Sequence, residues 1–238
     1  MINIDLHRNA FVNILREIYS DTLLRNTLGF KGGTAAMLFY ELPRFSVDLD
    51  FDLLDPEKKE EIFQRLKEIL PQFGNLIEAR EKQNTLFFLL SYKKEERVIK
   101  VEISKRIINK FVADVIKSAY ALKNFLGISM LVMRQEDMVA GKLAALLTRK
   151  RFATRDIFDL WFFLKNEWQI NEEFLKEKSG LSLVQALKKA QSLIKGVKKT
   201  ELLSGLGELL DNKQKAFVKE KLQDELVFLL KLYLSNIT

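Results

Sequence analysis

Two aspartates in the segment FSVDLDF have the residue type and spacing that most directly suggest chemistry. Asp48 and Asp50 alternate with apolar residues, and alternate residues of a β-strand point to the same face, about 7 Å apart. Two carboxylates this close repel each other unless a cation lies between them or one takes up a proton. Hard oxygen ligands with no nearby histidine or cysteine favour Mg²⁺ or Mn²⁺ over zinc. An exposed acidic strand face without a ligand is the alternative.

A glycine pair upstream strengthens the metal interpretation. Gly32 and Gly33 precede a helix that we predict over 34–41, and backbone N–H groups at a helix start attract phosphate. Glycines let a ligand approach those groups closely, although many glycine pairs are only turns. A phosphate-binding loop followed 14 residues later by two carboxylates has the parts needed to hold a nucleoside triphosphate with its Mg²⁺. The residues expected to contact the nucleotide are Lys31, Gly32, Gly33, Thr34, Arg44 and Ser46.

Two of these residues have a competing structural interpretation. Arg44 follows Pro43, so it is also a candidate turn residue paired with Glu41. Thr34 is a candidate cap for the helix that follows the glycines.

The elements that must position these residues follow from hydrophobic periodicity. The pattern predicts an α/β (α+β) fold, in which a small mixed-sheet head over 1–130 precedes a helical half over 131–238. Alternation predicts strands, and a period near 3.6 predicts helices. The predicted helices cover 8–27, 34–41 and 56–70, the predicted strands cover 47–53, 75–80, 85–92 and 98–104, and the chain from 130 onward is predicted to be almost wholly helical.

Composition excludes several classes of chemistry. The chain has no cysteine and a single histidine, His7, so disulfides, thiolate sites and histidine-based triads are excluded. With 47% hydrophobic and 30% charged residues it is an ordinary globular composition. No uncharged run exceeds ten residues, the length of Asn124 to Met133, whereas a helix needs about 20 to span a bilayer. We therefore expect a cytoplasmic protein with no membrane partner.

The positive charge is concentrated in the middle of the chain. The net charge is +7, and residues 106–165 contain eleven Lys and Arg against five Asp and Glu. Such a basic surface suits a polyanion, for example RNA or a nucleoside triphosphate. Charge that only keeps the protein soluble is an equally good explanation of this feature.

Three blocks together resemble a known family. The segment GGTAAMLFYELPRFSVDLDF is similar to the signature of the AbiEii/AbiGii-type nucleotidyltransferases, toxins of type IV toxin–antitoxin systems in the DNA polymerase β-like superfamily. The segment RVIKVEISKR supplies Glu102 where the superfamily has a third carboxylate. The segment EDMVAGKLAALLTRKRFATRDIFDL supplies the later matches, Lys142, Arg155, Asp156 and Asp159. The blocks span residues 29–163.

The resemblance implies an activity and assigns residues to it. It implies a metal-dependent nucleotidyltransferase that moves a nucleoside monophosphate from a triphosphate to an acceptor hydroxyl, with Mg²⁺ or Mn²⁺ as cofactor. The expected acceptor is the 3′ end of tRNA, and the expected setting is a toxin–antitoxin or phage-defence system with a cognate antitoxin protein. The residues expected to be catalytic are Asp48, Asp50, Glu102, Lys142 and Asp156, of which the first three would hold the metal.

The helical half is then expected to complete the active site of the nucleotidyltransferase head and to bind the acceptor. Arg149 follows Lys142 by seven residues and so shares its helical face; together with Lys150 and Arg151 it forms the expected RNA-binding patch. Asp159 is expected to be structural. Two alternatives stay open: a protein nucleotidylase or phosphotransferase using the same site, and a non-catalytic nucleotide-binding module. The presence of all four residues Asp48, Asp50, Glu102 and Lys142 disfavours the second.

Overall fold

The protein divides into two units, Met1–Arg134 and Gln135–Thr238. The structure is a computed structural model that describes residues 4–93, 97–105, 117–149 and 153–237. In the first unit the helices are α1 (Ile4–Ser20), α2 (Thr22–Thr27), α3 (Gly32–Phe39) and α4 (Lys59–Ile69), with 3₁₀ turns at Pro56–Lys58 and Leu70–Phe73. Its strands are β1 (Leu28–Lys31), β2 (Leu49–Leu53), β3 (Asn75–Lys82), β4 (Thr85–Lys93), β5 (Arg97–Ser104), β6 (Tyr120–Phe125) and β7 (Ile128–Met133).

The described strands of the first unit form one mixed sheet in the order β3-β4-β5-β2-β1-β7-β6. Strand β2 pairs antiparallel with β1 and parallel with β5, and β1 also pairs parallel with β7. The remaining neighbours are antiparallel. The predicted α/β class is confirmed.

Side chains of a strand alternate between the two faces of the sheet, and the apolar residues at every second position make one face of this sheet apolar. Phe51 and Phe88 are fully buried on the apolar face. The ring of Tyr19 from α1 packs 6.4 Å from Phe51, and the ring of Phe63 from α4 packs 5.2 Å from Phe88. The opposite face therefore carries the alternate residues of β2 and β5, among them Asp50 and Glu102.

The second unit is helical over its described residues. Its helices are α5 (Gln135–Thr148), α6 (Thr154–Lys165), α7 (Glu172–Ser179), α8 (Leu183–Lys195), α9 (Asn212–Glu220) and α10 (Leu222–Ile237), with 3₁₀ turns at Lys199–Glu201 and Gly207–Leu209. Capping boxes open α8 at Ser182 and α9 at Asp211, and Gly180 in the left-handed conformation ends α7. The core includes Phe163, whose ring stacks 4.4 Å from Trp168.

Three predictions about the elements are wrong. The helix predicted over 8–27 is divided at Asp21, whose carboxylate accepts from the Leu24 N–H and so begins a second helix. Residues 130–133 were predicted to be helical, but they belong to strand β7, in which Met130 and Val132 are buried and pair with β6. The strand predicted from residue 47 begins at Leu49, as explained below.

A separate finding concerns membranes. Within the described ranges, no helix has the length and apolar character needed to span a bilayer.

Candidate functional site

The turn between β1 and α3 brings Asp50 against the start of a helix. Gly32 has a φ of +80°, a conformation that residues with a Cβ rarely adopt. A Cβ at this position would lie 2.4 Å from the Asp50 Oδ2 atom, so only glycine lets the carboxylate approach the backbone this closely. The first N–H groups of α3 lie at the same turn, where negative charge is favoured. The sequence analysis predicted that a ligand phosphate approaches these glycines; the structure shows a carboxylate of the chain itself close to Gly32, and the phosphate contact stays a prediction.

The second glycine makes room for two side chains from the following loop. A Cβ on Gly33 would lie 2.5 Å from the Arg44 Nη2 atom and 2.8 Å from the Ser46 hydroxyl oxygen. Arg44 and Ser46 are both buried, at 3% and 4% exposure. The guanidinium also donates to the Phe45 carbonyl at 3.0 Å. The structure therefore places three residues that were predicted to bind nucleotide side by side at the first turn of α3.

Two of the predicted metal ligands lie on adjacent strands. Asp50 on β2 is in register with Glu102 on β5, and neighbouring strands are about 4.8 Å apart. Both side chains are half-buried on the polar face of the sheet. Leu49 and Phe51, which flank Asp50 on β2, are completely buried on the opposite face of the sheet, as side-chain alternation requires.

Asp48 differs from Asp50 because it precedes the strand. Strand β1 ends at Lys31, opposite Asp50, where the chain turns into α3. Residues before Leu49 therefore have no partner on β1. The Thr34 hydroxyl instead donates to the Asp48 carbonyl. Thr34 was also considered as a helix cap, but the helix begins two residues earlier and its cap position is Lys31.

A second aspartate on strand β2, Asp52, was missed. Asp52 is 3% exposed and forms an ion pair with Lys31. It also accepts a hydrogen bond from the Tyr120 hydroxyl at 2.7 Å. A Cβ on Gly29 would lie 2.4 Å from the Tyr120 ring, so this contact depends on that glycine. The repeat of aspartate at every second position from Asp48 was a visible signal for Asp52, whereas nothing in the sequence indicated its partner on β6.

Asp50 and Glu102 are candidate oxygen donors for a divalent metal ion. Across the described residues, no group of three or more histidine, cysteine or acidic side chains lies close enough to hold an ion by itself. Asp50 and Glu102 nevertheless form a pair of hard oxygen donors on neighbouring strands. Protein sites for Mg²⁺ typically supply one or two carboxylates and leave the other positions to water and substrate phosphates. The residues present fit such a site.

The second unit contains a separate cluster of charged residues. The Lys142 ammonium on α5 lies 2.8 Å from the Asp156 Oδ1 atom and 2.8 Å from the Asp159 Oδ2 atom, both on α6. Asp156 and Asp159 are 2% and 0% exposed. The spacing of three residues places both carboxylates on one face of the helix. The structure brings Lys142 and Asp156, which the family resemblance assigns to one active site, into contact, and their catalytic role stays a prediction.

Arg149 belongs to this same cluster. Its guanidinium lies 2.5 Å from the Asp156 Oδ2 atom, and half of its side chain is exposed. Lys150 and Arg151, which complete the expected RNA-binding patch, lie outside the described residues. Thr154 is the first residue of α6, and its hydroxyl donates to the Ser204 carbonyl.

Comparisons with known proteins agree with the fold and with the sequence blocks. A family model described as "Nucleotidyl transferase AbiEii toxin, Type IV TA system" matches residues 13–224. No curated protein matches the sequence significantly. Among solved structures, a predicted nucleotidyltransferase from H. pylori has a TM-score of 0.63 at 23% identity, covering 100% of this chain and 99% of its own. JHP933 from Helicobacter pylori has a TM-score of 0.62 at 22% identity, covering 100% and 94%.

A fungal protein extends the similarity of fold. An antigenic nucleotidyltransferase-like protein from Paracoccidioides brasiliensis has a TM-score of 0.51 at 13% identity, covering 84% of this chain and 93% of its own. At these levels of identity the solved structures show a shared fold, and the match over residues 13–224 is what carries the family.

Proposed function

Because the chain belongs to the AbiEii family of nucleotidyltransferase toxins from type IV toxin–antitoxin systems, we propose that it transfers a nucleoside monophosphate to the 3′ hydroxyl of tRNA in a metal-dependent reaction. Membership of this family implies that the protein is a nucleotidyltransferase, that it uses a nucleoside triphosphate and that it has a cognate antitoxin. The metal, the tRNA acceptor and the residue roles below are parts of the proposal.

The position of Asp50 is the observation that supports the proposal best. Its carboxylate lies against the first residue of α3 and is also in register with Glu102. A triphosphate bound at the start of α3 would therefore lie next to the carboxylates of Asp50 and Glu102. Arg44 and Ser46 are buried beside Gly33 at the same turn, and we assign them to the phosphate oxygens of the nucleotide.

Asp50 and Glu102, which are in register, would hold the metal, and Asp48, which does not group with them among the described residues, is the third ligand that the family resemblance implies. When bound, Mg²⁺ or Mn²⁺ supplies charge neutralisation at the phosphates and makes an attacking hydroxyl more acidic. The chain's own groups do the rest. The N–H groups of the glycine turn bind the triphosphate, and Lys31, whose ammonium is held by Asp52, adds positive charge at the end of β1. Glu102 accepts the proton of the acceptor hydroxyl.

The transfer itself exchanges one phosphoester bond for another. The acceptor oxygen forms a bond to the α-phosphorus, the bond from that phosphorus to the oxygen bridging the β-phosphate breaks, and pyrophosphate leaves. We assign Lys142 to the negative charge on the triphosphate and Asp156 to the orientation of its ammonium, which it contacts at 2.8 Å. The added nucleotide would block aminoacylation of the tRNA, which accounts for toxicity.

Labelled triphosphates test the class of reaction. The purified protein is incubated with total tRNA and with nucleoside triphosphate labelled at either the α- or the γ-phosphate. We expect the α-label, and not the γ-label, to enter RNA. Transfer of the γ-label would indicate a phosphotransferase, and α-label entering protein would indicate a protein nucleotidylase.

The acceptor surface is tested by salt dependence. The variant Lys150→Glu/Arg151→Glu keeps Arg149, because reversing that residue would place a like charge against buried Asp156. We expect weaker tRNA binding and a slope of log affinity against log salt that is shallower by about 1 to 2. The matched control is Lys188→Glu/Lys189→Glu on the exposed side of α8, with the same change in charge. Equal slopes for the two variants would contradict an RNA contact at Lys150 and Arg151.

A further inference from the structure

The single histidine of the chain lies beside the candidate site but has no part in the reaction proposed above. His7 is in the first turn of α1 and is 3% exposed. Its Nε2 atom lies 2.9 Å from the Val47 carbonyl oxygen, and its Nδ1 atom lies 2.8 Å from the Tyr92 hydroxyl. Both ring nitrogens are therefore engaged, and one of them holds the residue immediately before Asp48.

The partners determine which nitrogen carries the proton. A carbonyl oxygen only accepts, so Nε2 must be the protonated nitrogen that donates to Val47. In the neutral ring Nδ1 is then an acceptor for the Tyr92 hydroxyl. Tyr92 lies on β4, in the middle of the three consecutive strands β3, β4 and β5. The histidine thus connects the irregular loop before β2 to the sheet.

The ring itself is held by packing. The rings of Phe11, Phe45 and Tyr92 lie 5.8, 5.7 and 5.4 Å from the imidazole, each in an edge-on arrangement. Phe45 belongs to the same loop as Val47, so the histidine contacts this loop through both a hydrogen bond and an aromatic face. Burial among these rings leaves the imidazole little freedom to turn.

Asp48 needs such support because it lies outside the strand. The carbonyl groups of two successive residues, Val47 and Asp48, are bound by the side chains of His7 and Thr34 respectively. These side chains come from α1 and from the first turn of α3. They fix the backbone at a point where β1 offers no partner.

We propose that His7 is a positioning residue for the reaction: through its Nε2–H bond to Val47, and oriented by Tyr92, it fixes the backbone that presents Asp48. The inference rests on the proposed role of Asp48. A site must hold its reacting groups to within about 0.5 Å. Loss of the Nε2 donor should therefore lower kcat while the triphosphate KM changes little.

Two substitutions separate the donor from the acceptor of the ring. Glutamine places its amide nitrogen as many bonds from Cα as Nε2 and keeps the donor to Val47. Asparagine is shorter, so it keeps an acceptor near the Nδ1 position and loses that donor. We expect His7→Asn to lower kcat about 10-fold or more, and His7→Gln to stay within about 3-fold of the wild type. Tyr92→Phe, which leaves only packing to orient the ring, should lower kcat about 2- to 3-fold.

The first measurement compares kcat among the wild type and the three variants. Transfer of α-label to tRNA is measured at a temperature at which circular dichroism shows every variant folded. Equal kcat values for the asparagine and glutamine variants would overturn the proposal, because a merely structural histidine would not distinguish them. If His7→Asn does not fold, Mn²⁺ binding by His7→Gln and Tyr92→Phe is compared with the wild type. Binding weakened equally in these two variants would also overturn it, whereas weakening in Tyr92→Phe alone would support it.

The failure of the proposed function is distinguishable from the failure of this inference. Asp48→Asn is included in every series, and growth inhibition on induction is measured beside transfer because it requires no identified acceptor. If Asp48→Asn is fully active, the carboxylate assignment is wrong. If Asp48→Asn is inactive and His7→Asn is normal in both assays, only the positioning role of His7 is wrong.

Discussion

Two pairs of acidic residues, Asp50 with Glu102 in the first unit and Asp156 with Asp159 in the second, differ in burial. In the first unit Asp50 and Glu102 are half-buried and in register on neighbouring strands. In the second unit Asp156 and Asp159 are almost completely buried. They contact two cations, Lys142 and Arg149, at distances of 2.5 to 2.8 Å. The second cluster therefore contains equal numbers of positive and negative groups.

This difference indicates different tasks. Buried carboxylates are held in ion pairs because a buried charge without a partner is strongly unfavourable. Such a cluster fixes the position of Lys142 and contributes to the packing of α5 on α6. Half-buried carboxylates beside a helix start are accessible to a ligand that enters from solvent. We therefore expect substitutions of Asp50 and Glu102 to affect mainly activity, and substitutions of Asp156 and Asp159 to affect stability as well.

The largest effect is expected from Asp50→Asn, which removes a metal ligand without changing shape. We expect transfer activity to fall about 1,000-fold or more, since metal and carboxylate together provide several kcal/mol of charge stabilisation in the transition state. The melting temperature should change by only a few degrees. Asp55→Asn, which caps the 3₁₀ turn after β2, is the matched control. Activity of Asp50→Asn comparable to that control would refute the metal site.

The next effect should appear as a loss of stability in the second unit. Asp159→Asn neutralises a completely buried carboxylate, while its partner Lys142 is 18% exposed and keeps its contact with Asp156. Loss of one charge-assisted hydrogen bond of this kind costs about 1.5 to 3 kcal/mol. Both tryptophans of the chain, Trp161 and Trp168, lie in the second unit, so urea unfolding followed by tryptophan fluorescence reports on it. The free energy of unfolding should fall by about that amount.

A pair of variants separates stability from activity at this cluster. Lys142→Ala should lose both, because the ammonium is also assigned to the triphosphate, whereas Asp159→Asn should keep transfer activity at temperatures where it is folded. If the two variants lose activity equally while folded, the cluster acts as one catalytic unit and the distinction between the two acidic regions does not hold.

The accuracy of the sequence predictions depends on how local their causes are. The strands around Thr85–Lys93 and Arg97–Ser104 were predicted to within two residues, because side-chain alternation is a local signal. The approach of Asp50 to the glycine turn was not predicted, because side-chain alternation says nothing about which distant residue a strand side chain meets. Part of β7 was predicted to be helical because the uncharged run from Asn124 to Met133 suits a buried strand or a helix equally well, and β6 was not predicted.

Contacts between distant parts of the chain were not predictable. The bond from Tyr120 to Asp52 joins residues 68 positions apart, and that from Tyr92 to His7 joins residues 85 apart. Neither residue type nor spacing indicates such pairs. The start of β2 at Leu49 was not predictable for the same reason. The hydrogen bonds to the carbonyl groups of Val47 and Asp48 come from side chains on α1 and α3.

A smaller effect is expected from the glycine beside Arg44. In Gly33→Ala the new Cβ would collide with the Arg44 guanidinium and the Ser46 hydroxyl, so we expect a rise in the triphosphate KM of about 10-fold, roughly 1.4 kcal/mol. Gly141→Ala on α5 is the control, because its Cβ would meet only a Phe174 ring carbon at 3.8 Å. That variant should be slightly more stable, by about 0.5 to 1 kcal/mol. An unchanged KM for Gly33→Ala would place the triphosphate elsewhere.

The smallest effect concerns Asp21, which caps α2 and forms an ion pair with Arg65. Burial alone would raise the pKa of Asp21, but the hydrogen bonds from the Leu24 N–H and from Arg65 together lower it. A carboxyl whose pKa is lower in the folded state stabilises the fold above its unfolded pKa, about 3.9. That contribution is lost as the pH falls through the folded pKa. Asp21→Ala should cost about 1 kcal/mol at pH 7.

The asparagine variant tests the charge separately from the cap, since asparagine is an equally good cap residue. Asp21→Asn should be destabilised less than Asp21→Ala at pH 7. Its difference from the wild type should shrink as the pH is lowered through the range in which Asp21 takes up a proton. Amide hydrogen exchange of α2 measures this within the first unit, which lacks tryptophan. A difference between wild type and Asp21→Asn that does not change with pH would mean that the charge of Asp21 contributes nothing and that the cap alone stabilises this helix.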